Sequence, residues 1–345
     1  MPEVAPTASR KADHIRINLT QDVQSGLTTG LERYRFVHQA LPERSLQAVD
    51  LGTVFLAHEL RAPLLISSMT GGTDQAHAIN RVLAEAAERT GIAIGLGSQR
   101  VALEDERAAR SFHVRDVAPT AMLLANLGAV QLNHGLGVAE CQRAVEMIGA
   151  DALILHLNAL QEALQPEGNH DFSNLLSKIG QVCRALPVPV VVKEVGWGIS
   201  AKVARWLADA GVAAVDVAGS GGTSWSQVEM HRAADPEGAR VAGDFADWGI
   251  PTAEALVQCR AELPSLPLIA SGGIRSGIQA AKCIALGANL VGSAHPFLMA
   301  ASVSLEATIK AIRLMAQEMR IAMFAAGAGS IEELRHTSLV KKKIE

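Results

Sequence analysis

The chain has 345 residues, of which 49% are hydrophobic and 19% charged, so it contains ample apolar material for one large core. This balance excludes a disordered chain, and the formal net charge of -4 argues against a nucleic-acid partner, which would need a basic surface. Aromatic residues make up only 3%, so we expect a core of Ala, Val, Ile and Leu, as in parallel strands packed beneath helices.

The N-terminal stretch MPEVAPTASRKADHIRI lacks the apolar segment of a signal peptide. No segment approaches the ~18 consecutive apolar residues of a spanning helix, so we expect no membrane partner. The cysteines show no CxxC spacing and are predicted to be reduced core residues; they are Cys141, Cys183, Cys259 and Cys283. Together these features predict a cytoplasmic protein.

The first 60 residues or so precede the repeated part of the chain. They are predicted to form an arm and plug, with a hairpin in LGTVFLAHELRAP, residues 51–63. We therefore expect two regions, an N-terminal arm and plug at residues 1–60 and a barrel at residues 61–345.

Eight short apolar runs follow, each succeeded by a glycine or polar cluster and then by a segment of helical periodicity. The runs begin at Pro63, Ile92, Met122, Ala152, Pro189, Ala213, Pro267 and Leu290. Eight such units favour a closed (β/α)8 TIM barrel over a doubly wound sheet, which more often stops near six strands. The longest interval, after the sixth run, predicts an insertion beside the barrel mouth at residues 224–250.

Functional groups of this fold gather at the carboxyl ends of the strands. The first strand ends in SSMTGGT, where Ser68 and Thr70 leave space and two glycines allow close backbone approach, although a simple turn explains this stretch equally well. The second ends in GLGSQR, which suggests an anion contact or a surface ion pair. The third ends near Asn126, either a turn residue or a contact to a heterocycle.

The fourth strand, ALILHLN, becomes polar towards its end. Alternation places His156 and Asn158 on the inward face, and Gln161 and Glu162 continue into the following loop. Burying such groups without partners would cost ~1–3 kcal/mol each, so their convergence indicates a site. Glu162 is the natural ligand for a hard cation such as Mg²⁺.

The fifth strand contains an inward Lys193, which requires an anionic or electron-rich partner. Schiff-base chemistry and stabilisation of negative charge on a cofactor both remain open at this point. Glycine loops follow the last three strands, GSGGTSW at 219–225, ASGGIRSG at 270–277 and VGSAHP at 291–296. Because backbone amides in such loops cradle phosphate, three adjoining loops predict a phosphate-bearing ligand.

The motifs RKADH, MTGGT, GSQR, HLN with QEALQPEG, KEVG, GGTSW and SGGIRSG occur in this order between Arg10 and Phe297. In this the chain resembles the type 2 isopentenyl-diphosphate isomerases. The resemblance implies an FMN-dependent barrel of isoprenoid biosynthesis that interconverts isopentenyl and dimethylallyl diphosphate. It further implies reduced FMN and Mg²⁺, no net redox change, NADPH as flavin reductant, and a homo-oligomer, a tetramer or octamer.

The resemblance also implies roles for individual residues. FMN contacts would be Ser68, Met69, Thr70, Ser98, Asn126, Lys193, Thr223, Gly272, Gly273, Ile274, Ser293 and Ala294. Substrate contacts would be Arg10, Lys11, Ser98, Gln99, Arg100 and Gln161, with Glu162 as the magnesium ligand. Groups near the reacting carbons would be His156, Asn158, Gln161, Trp225 and Glu229.

The chain departs from the family pattern at two positions. Ala218 stands where many members have a serine, so one hydrogen bond to the FMN phosphate is lost or is supplied instead by Ser220. Asn169 stands where an acidic residue is common.

Two other functions fit parts of the pattern. One is an FMN-dependent oxidoreductase of the hydroxy-acid oxidase or dihydroorotate dehydrogenase kind, which would need a base and a clamp for a substrate carboxylate. The other is a catalytically silent, phosphate-binding barrel, which would have little need of the inward polar groups of the fourth strand.

Overall fold

The structure, a computed structural model, describes residues 7–69 and 71–342, without the side chains of residues 7–12, 106 and 107. Within this part of the chain, eight parallel strands close into a barrel in chain order, which confirms the predicted (β/α)8 fold. All eight predicted runs form barrel strands, called strands 1 to 8 below. They are Leu64–Ile66, Ala93–Gly95, Leu123–Gly128, Ala152–His156, Val190–Lys193, Ala214–Asp216, Leu268–Ala270 and Leu290–Ser293.

Helices surround the barrel and cover the outward faces of its strands. The α-helices that follow the strands are Asp74–Thr90, Arg100–Glu104, Glu106–Ala109, Val138–Ile148, Ala159–Leu164, Leu175–Ala185, Ala201–Asp209, Thr252–Glu262, Gly277–Ala285, His295–Ala301, Leu305–Ala325 and Ile331–Arg335. Short 3-10 helices are Leu31–Arg33, Leu46–Ala48, Arg110–Phe112 and Ala129–Asn133. Several α-helices begin at a capping hydroxyl: Thr73 accepts a hydrogen bond from Ala76 N and Ser276 from Gln279 N.

The amino-terminal end of the barrel is closed by the predicted hairpin. Its strands, Thr53–Phe55 and His58–Leu60, pair antiparallel. Phe55 and Leu60 are buried against the inward side chains of the barrel, which are apolar at this level and include Leu65 and Ile154. The hairpin therefore seals the bottom of the barrel with hydrophobic contacts.

The N-terminal helix Thr7–Thr20 and the insertion after strand 6 meet at the other end. The predicted insertion is present, and it forms the helices Trp225–Arg232 and Pro236–Gly243. Ile17, Val23 and Val228 form a small buried cluster with Trp225 packed against it, so the N-terminal helix docks on the insertion. A short strand, Tyr34–Phe36, pairs antiparallel with Leu339–Lys341.

The four cysteines are free, as predicted; Cys141, Cys259 and Cys283 are buried, whereas Cys183 is only partly buried. Burial raises the pKa of the Cys141 and Cys283 thiols to about 12 and that of Cys183 and Cys259 to about 11. None of the helices in the described ranges is long and apolar enough to cross a membrane.

Candidate active site

A cavity of about 260 Å³ opens at the carboxyl ends of the barrel strands, and all eight strand ends contribute to its lining. Most of the residues predicted for the site lie on its wall. They are Ser68, Met69, Ser98, Arg100, Asn126, His156, Asn158, Gln161, Glu162, Lys193, Thr223, Trp225, Gly272, Gly273, Ile274, Ser293 and Ala294. Among the predicted residues whose side chains are described, Gln99 and Glu229 are not part of this wall. Thr70 and the side chains of Arg10 and Lys11 lie outside the described residues.

Strand 4 projects its polar groups into the cavity as its alternation predicts. Ile154 packs inside the barrel and His156, two residues on, lines the cavity, whereas Leu153 and Leu155 join the core beneath the helices. His156 Nδ1 lies 2.8 Å from Asn126 Oδ1 at the end of strand 3. The carboxamide oxygen only accepts hydrogen bonds, so Nδ1 is the protonated ring nitrogen.

Asn158 and Glu162 form a buried polar pair on the same side of the cavity. Asn158 Nδ2 donates to Glu162 Oε1 at 2.9 Å, and the backbone N–H of Asn169 donates to Glu162 Oε2 at 2.6 Å. Only the main chain of Asn169 makes this bond, so the change from an acidic side chain does not disturb it. The described residues contain no cluster of three or more His, Cys, Asp or Glu side chains that could hold a metal. A cation at Glu162 would thus need ligands from a bound substrate and water, as Mg²⁺ commonly does.

Glu229 lies just behind this wall and accepts hydrogen bonds from separate elements. Its Oε1 accepts hydrogen bonds from Gln161 Nε2 at 3.1 Å and from Gln165 Nε2 at 2.5 Å. Its Oε2 accepts a hydrogen bond from Arg232 Nε at 2.7 Å. His14 Nε2 of the N-terminal helix lies 3.2 Å from Oε1. Burial disfavours the charge on Glu229, but His14 and Arg232 outweigh it and lower the carboxyl pKa to about 2. Glu229 is therefore a fixed anion at neutral pH.

Lys193 is buried at the end of strand 5 and lines the cavity. Asp216, its register partner on strand 6, accepts Ser271 Oγ at 2.7 Å. Burial raises the Asp216 pKa, while the charge of Lys193 and the Ser271 hydrogen bond oppose that rise. Lys193 and Asp216 are thus electrostatically coupled at one edge of the cavity.

The glycine loops after strands 6 and 7 pack backbone against backbone. A Cβ at Gly222 would lie 2.5 Å from Gly273 N, and a Cβ at Gly272 would lie 2.0 Å from Gly219 O. Gly272 also has a φ of +100°, which favours glycine. Side chains are excluded here by loop packing, and this part of the wall consists mainly of backbone.

Four buried polar atoms of wall residues lack a hydrogen-bond partner among the described residues: Ser67 Oγ, Ser68 Oγ, Asn158 Oδ1 and His14 Nε2, the last of which has Glu229 as an ion-pair partner. Buried polar atoms normally have partners, so this group fits a polar ligand in the cavity. Ser220 is not available for that purpose. Its Oγ lies 3.2 Å from Gly196 O and 3.1 Å from Trp248 O, to which it can donate, and Ser220 is not among the residues that line the cavity. Of the two alternatives at Ala218, this arrangement favours loss of the phosphate hydrogen bond, because the Ser220 hydroxyl is already bonded within the protein.

Sequence reasoning missed His14, Gln165 and Asp216. His14 belongs to the RKADH motif and Gln165 to QEALQPEG, so both were within quoted motifs. Asp216 follows the same alternation that identified Lys193, since Ala214 on strand 6 faces the barrel interior. Applying that alternation to every strand would have found Asp216.

Comparison with known proteins adds three findings. The FMN-dependent dehydrogenase family matches residues 162–341. A Synechococcus protein named isopentenyl-diphosphate delta-isomerase is 57% identical over 96% of each chain, and a Nostoc protein of the same name is 51% identical over 98% of this chain and 97% of its own. A solved mandelate oxidase structure with (S)-2-phenylpropionate aligns with a TM-score of 0.68 at 21% identity over 98% of each chain, a likeness of fold alone.

Proposed function

This chain belongs to the FMN-dependent type 2 isopentenyl-diphosphate isomerases, and from that premise we propose that it interconverts isopentenyl and dimethylallyl diphosphate with reduced FMN and Mg²⁺, without net redox change. The proposal includes a place in isoprenoid biosynthesis and NADPH as the source of electrons for the flavin. The proposal is supported mainly by one observation: a single cavity contains both a part suited to a phosphate and a part suited to a cation. Glycine loops suited to a phosphate line the same cavity as a buried Asn158–Glu162 pair suited to a cation.

The residues of the wall fit FMN. The unpartnered hydroxyls of Ser67 and Ser68, the carboxamide of Asn126 and the ammonium of Lys193 would meet its polar ring edge. The phosphate would be held by the glycine loops with Thr223, Gly272, Gly273, Ser293 and Ala294. When bound and reduced, the flavin supplies a proton donor and acceptor and an electron-rich face. Lys193 would favour negative charge on the bound ring by its own positive charge.

The substrate diphosphate would be held by cations at the rim. Arg100 lines the cavity while pairing with Glu104 at 2.7 Å, and Ser98 lies beside it. The backbone of Arg10 and Lys11 lies one helical turn before His14, which also lines the cavity. We propose that these cations and a Glu162-bound Mg²⁺ neutralise the diphosphate and so anchor the hydrocarbon beside the flavin.

The remaining polar groups would orient the substrate and move protons. His156, Asn158, Gln161 and Trp225 all line the cavity. Glu229 would act differently, because it is charged and lies behind the wall. We propose that Glu229 holds the carboxamide of Gln161 in place rather than exchanging a proton with the substrate.

Other expectations from the sequence remain proposals. They are a cytoplasmic location, assembly into a tetramer or octamer, and the division into an arm and plug at residues 1–60 and a barrel at residues 61–345.

Anaerobic turnover of isopentenyl diphosphate tests the proposed function. The purified protein is supplied with FMN and Mg²⁺, and its oxidised form is compared with the same protein reduced by dithionite. We expect dimethylallyl diphosphate only after reduction, and its loss when EDTA removes the metal. Turnover by the oxidised protein would contradict the role of reduced flavin. Bleaching of the flavin by a 2-hydroxy acid, with no isomerised product, would favour the oxidoreductase alternative.

A further inference from the structure

Gln99 lies in the GSQR stretch that the resemblance assigns to substrate binding, yet its side chain points away from the cavity. It is fully buried, with 0% of its surface exposed. Its Nε2 donates to Ala144 O at 2.8 Å and lies 3.8 Å from Met147 Sδ, both in the helix Val138–Ile148. A carboxamide bonded in this way offers nothing to a diphosphate.

Two other polar groups of Gln99, its backbone N–H and its side-chain Oε1, bond to one residue, Asn126. Gln99 N donates to Asn126 O at 2.8 Å, and Asn126 N donates to Gln99 Oε1 at 2.9 Å. The two bonds hold the main chain of Asn126 from both its N–H and its C=O. Because both partners are buried, removing the Gln99 side chain would leave the Asn126 N–H buried without its acceptor, which is unfavourable.

Asn126, whose main chain is held by Gln99, in turn holds the ring of His156. Its Oδ1 accepts from His156 Nδ1 at 2.8 Å, which sets the ring's orientation and its tautomer. Gly128, the register partner of His156, leaves room for the ring, because a Cβ there would lie 3.2 Å from His156 Nε2. The orientation of the His156 ring is therefore restricted by the hydrogen bond to Asn126 at Nδ1 and by the backbone of Gly128 near Nε2.

We propose that Gln99 is a positioning residue that acts through Asn126 to fix the Nδ1–H tautomer and the orientation of His156. It does not contact the substrate. The inference rests on the proposed function, since it assumes that His156 faces the reacting substrate. It assigns to the GSQR stretch two separate tasks, with Ser98 and Arg100 at the cavity and Gln99 behind it.

The test compares Gln99→Met with Arg100→Gln in the FMN-loaded enzyme. Methionine fills the same volume without hydrogen bonds, so we expect kcat to fall about 10-fold or more while KM changes less than about twofold. Arg100→Gln should instead raise KM. In a His156→Ala background, Gln99→Met should have little further effect on kcat, because residues acting through a shared partner are not additive.

Nitrogen-15 NMR of the histidine rings provides a readout that does not depend on turnover. The wild-type protein should show His156 protonated at Nδ1, and Gln99→Met should shift that signal towards a mixture of tautomers, while Arg100→Gln leaves it unchanged. A rise in KM with unchanged kcat and unchanged ring signals in Gln99→Met would overturn the proposal in favour of substrate contact. If Gln99→Met does not fold, a wild-type His156 unprotonated at Nδ1 would overturn it equally. Failure of the isomerase assay in the wild type would leave these ring signals intact and would count against the proposed function alone.

Discussion

The two ends of the barrel are built from the same inward faces of the same strands, yet their chemistry is opposite. At the closed end Leu65, Ile154 and neighbouring side chains pack against Phe55 and Leu60 of the hairpin. At the open end the inward positions are polar. They include Asn126, His156, Lys193 and Asp216, each two residues beyond a buried apolar side chain of its own strand.

Along each strand, the residues that stabilise the fold therefore lie only a few ångströms from the residues that would bind a ligand. Apolar burial at the closed end stabilises the fold by about 25 cal/mol per Å². The open end instead retains buried polar atoms that lack partners among the described residues, such as Ser67 Oγ and Ser68 Oγ. Such atoms cost free energy until a ligand satisfies them, so the closed end and the helical shell must offset that cost. Mutations at the open end should therefore mainly change activity, and mutations at the closed end should mainly change the free energy of unfolding.

The largest effect is expected at the open end, from Glu162→Gln. The amide keeps the shape and the hydrogen bond with Asn158 but removes the negative charge that would hold Mg²⁺. We expect kcat/KM to fall by about 10³-fold or more, equivalent to ~4 kcal/mol, with higher Mg²⁺ needed for the residual activity. The free energy of unfolding without metal should fall by about 1–3 kcal/mol, because the glutamine oxygen can accept from Asn158 Nδ2 only if its NH2 group faces the Asn169 N–H, which then loses its acceptor.

Glu237→Gln provides the matched control, because Glu237 is exposed in the first turn of the insertion helix Pro236–Gly243. It should leave both activity and stability within experimental error. A Glu162→Gln enzyme with normal magnesium dependence would show that the cation binds elsewhere, and the assignment of the polar wall would then fail.

The next effect belongs to the closed end. Phe55→Ala removes a side chain that is 3% exposed and seals the barrel, so we expect a loss of about 3 kcal/mol in the free energy of unfolding. Val54→Ala, in the same hairpin strand but 62% exposed, should cost less than about 0.5 kcal/mol. Urea unfolding measures both changes. At 25 °C the folded Phe55→Ala enzyme should retain its kcat; a fall in kcat larger than the fall in folded protein would show that the two ends are coupled.

The sequence predicts the closed end and the strand order well, because both depend on local patterns. Apolar runs and alternation identify strands whichever partner they meet, and the hairpin was visible as two short alternating segments around residue 56. The same alternation correctly predicted that the side chain of His156 points into the barrel.

The layer behind the cavity wall could not be predicted in this way. The resemblance grouped Gln99 with Ser98 and Arg100, but only the packing of the helix Val138–Ile148 shows that its carboxamide turns outward. Glu229 meets Gln165 and His14 across 64 and 215 positions of chain, a convergence that no local pattern encodes. Hydrogen bonds between distant elements require the assembled fold.

The smallest effect is expected from this hidden layer, in Glu229→Gln. Because the folded-state pKa of Glu229 is about 2, below the ordinary 4.5, its charge stabilises the fold above about pH 4.5, and that contribution is lost as the pH falls towards 2. We expect Glu229→Gln to be about 1–2 kcal/mol less stable than the wild type at pH 5.5, with a narrower gap at pH 3. A gap that does not change between these pH values would show that the charge contributes nothing and that only the hydrogen bonds matter.

A double-mutant cycle with His14→Gln sharpens this comparison. Glu229 contacts His14 of the N-terminal helix, Gln161 after strand 4 and Arg232 of the insertion. Removing its charge should therefore weaken the contacts between all three elements. If His14 stabilises the N-terminal helix through Glu229, the two substitutions together should cost less than the sum of the single ones. Strict additivity would mean that His14 and Glu229 do not act together and that the helix is held by its apolar contacts, through the buried Ile15 and Ile17. The open end would then depend on hydrophobic packing for its stability, as the closed end does.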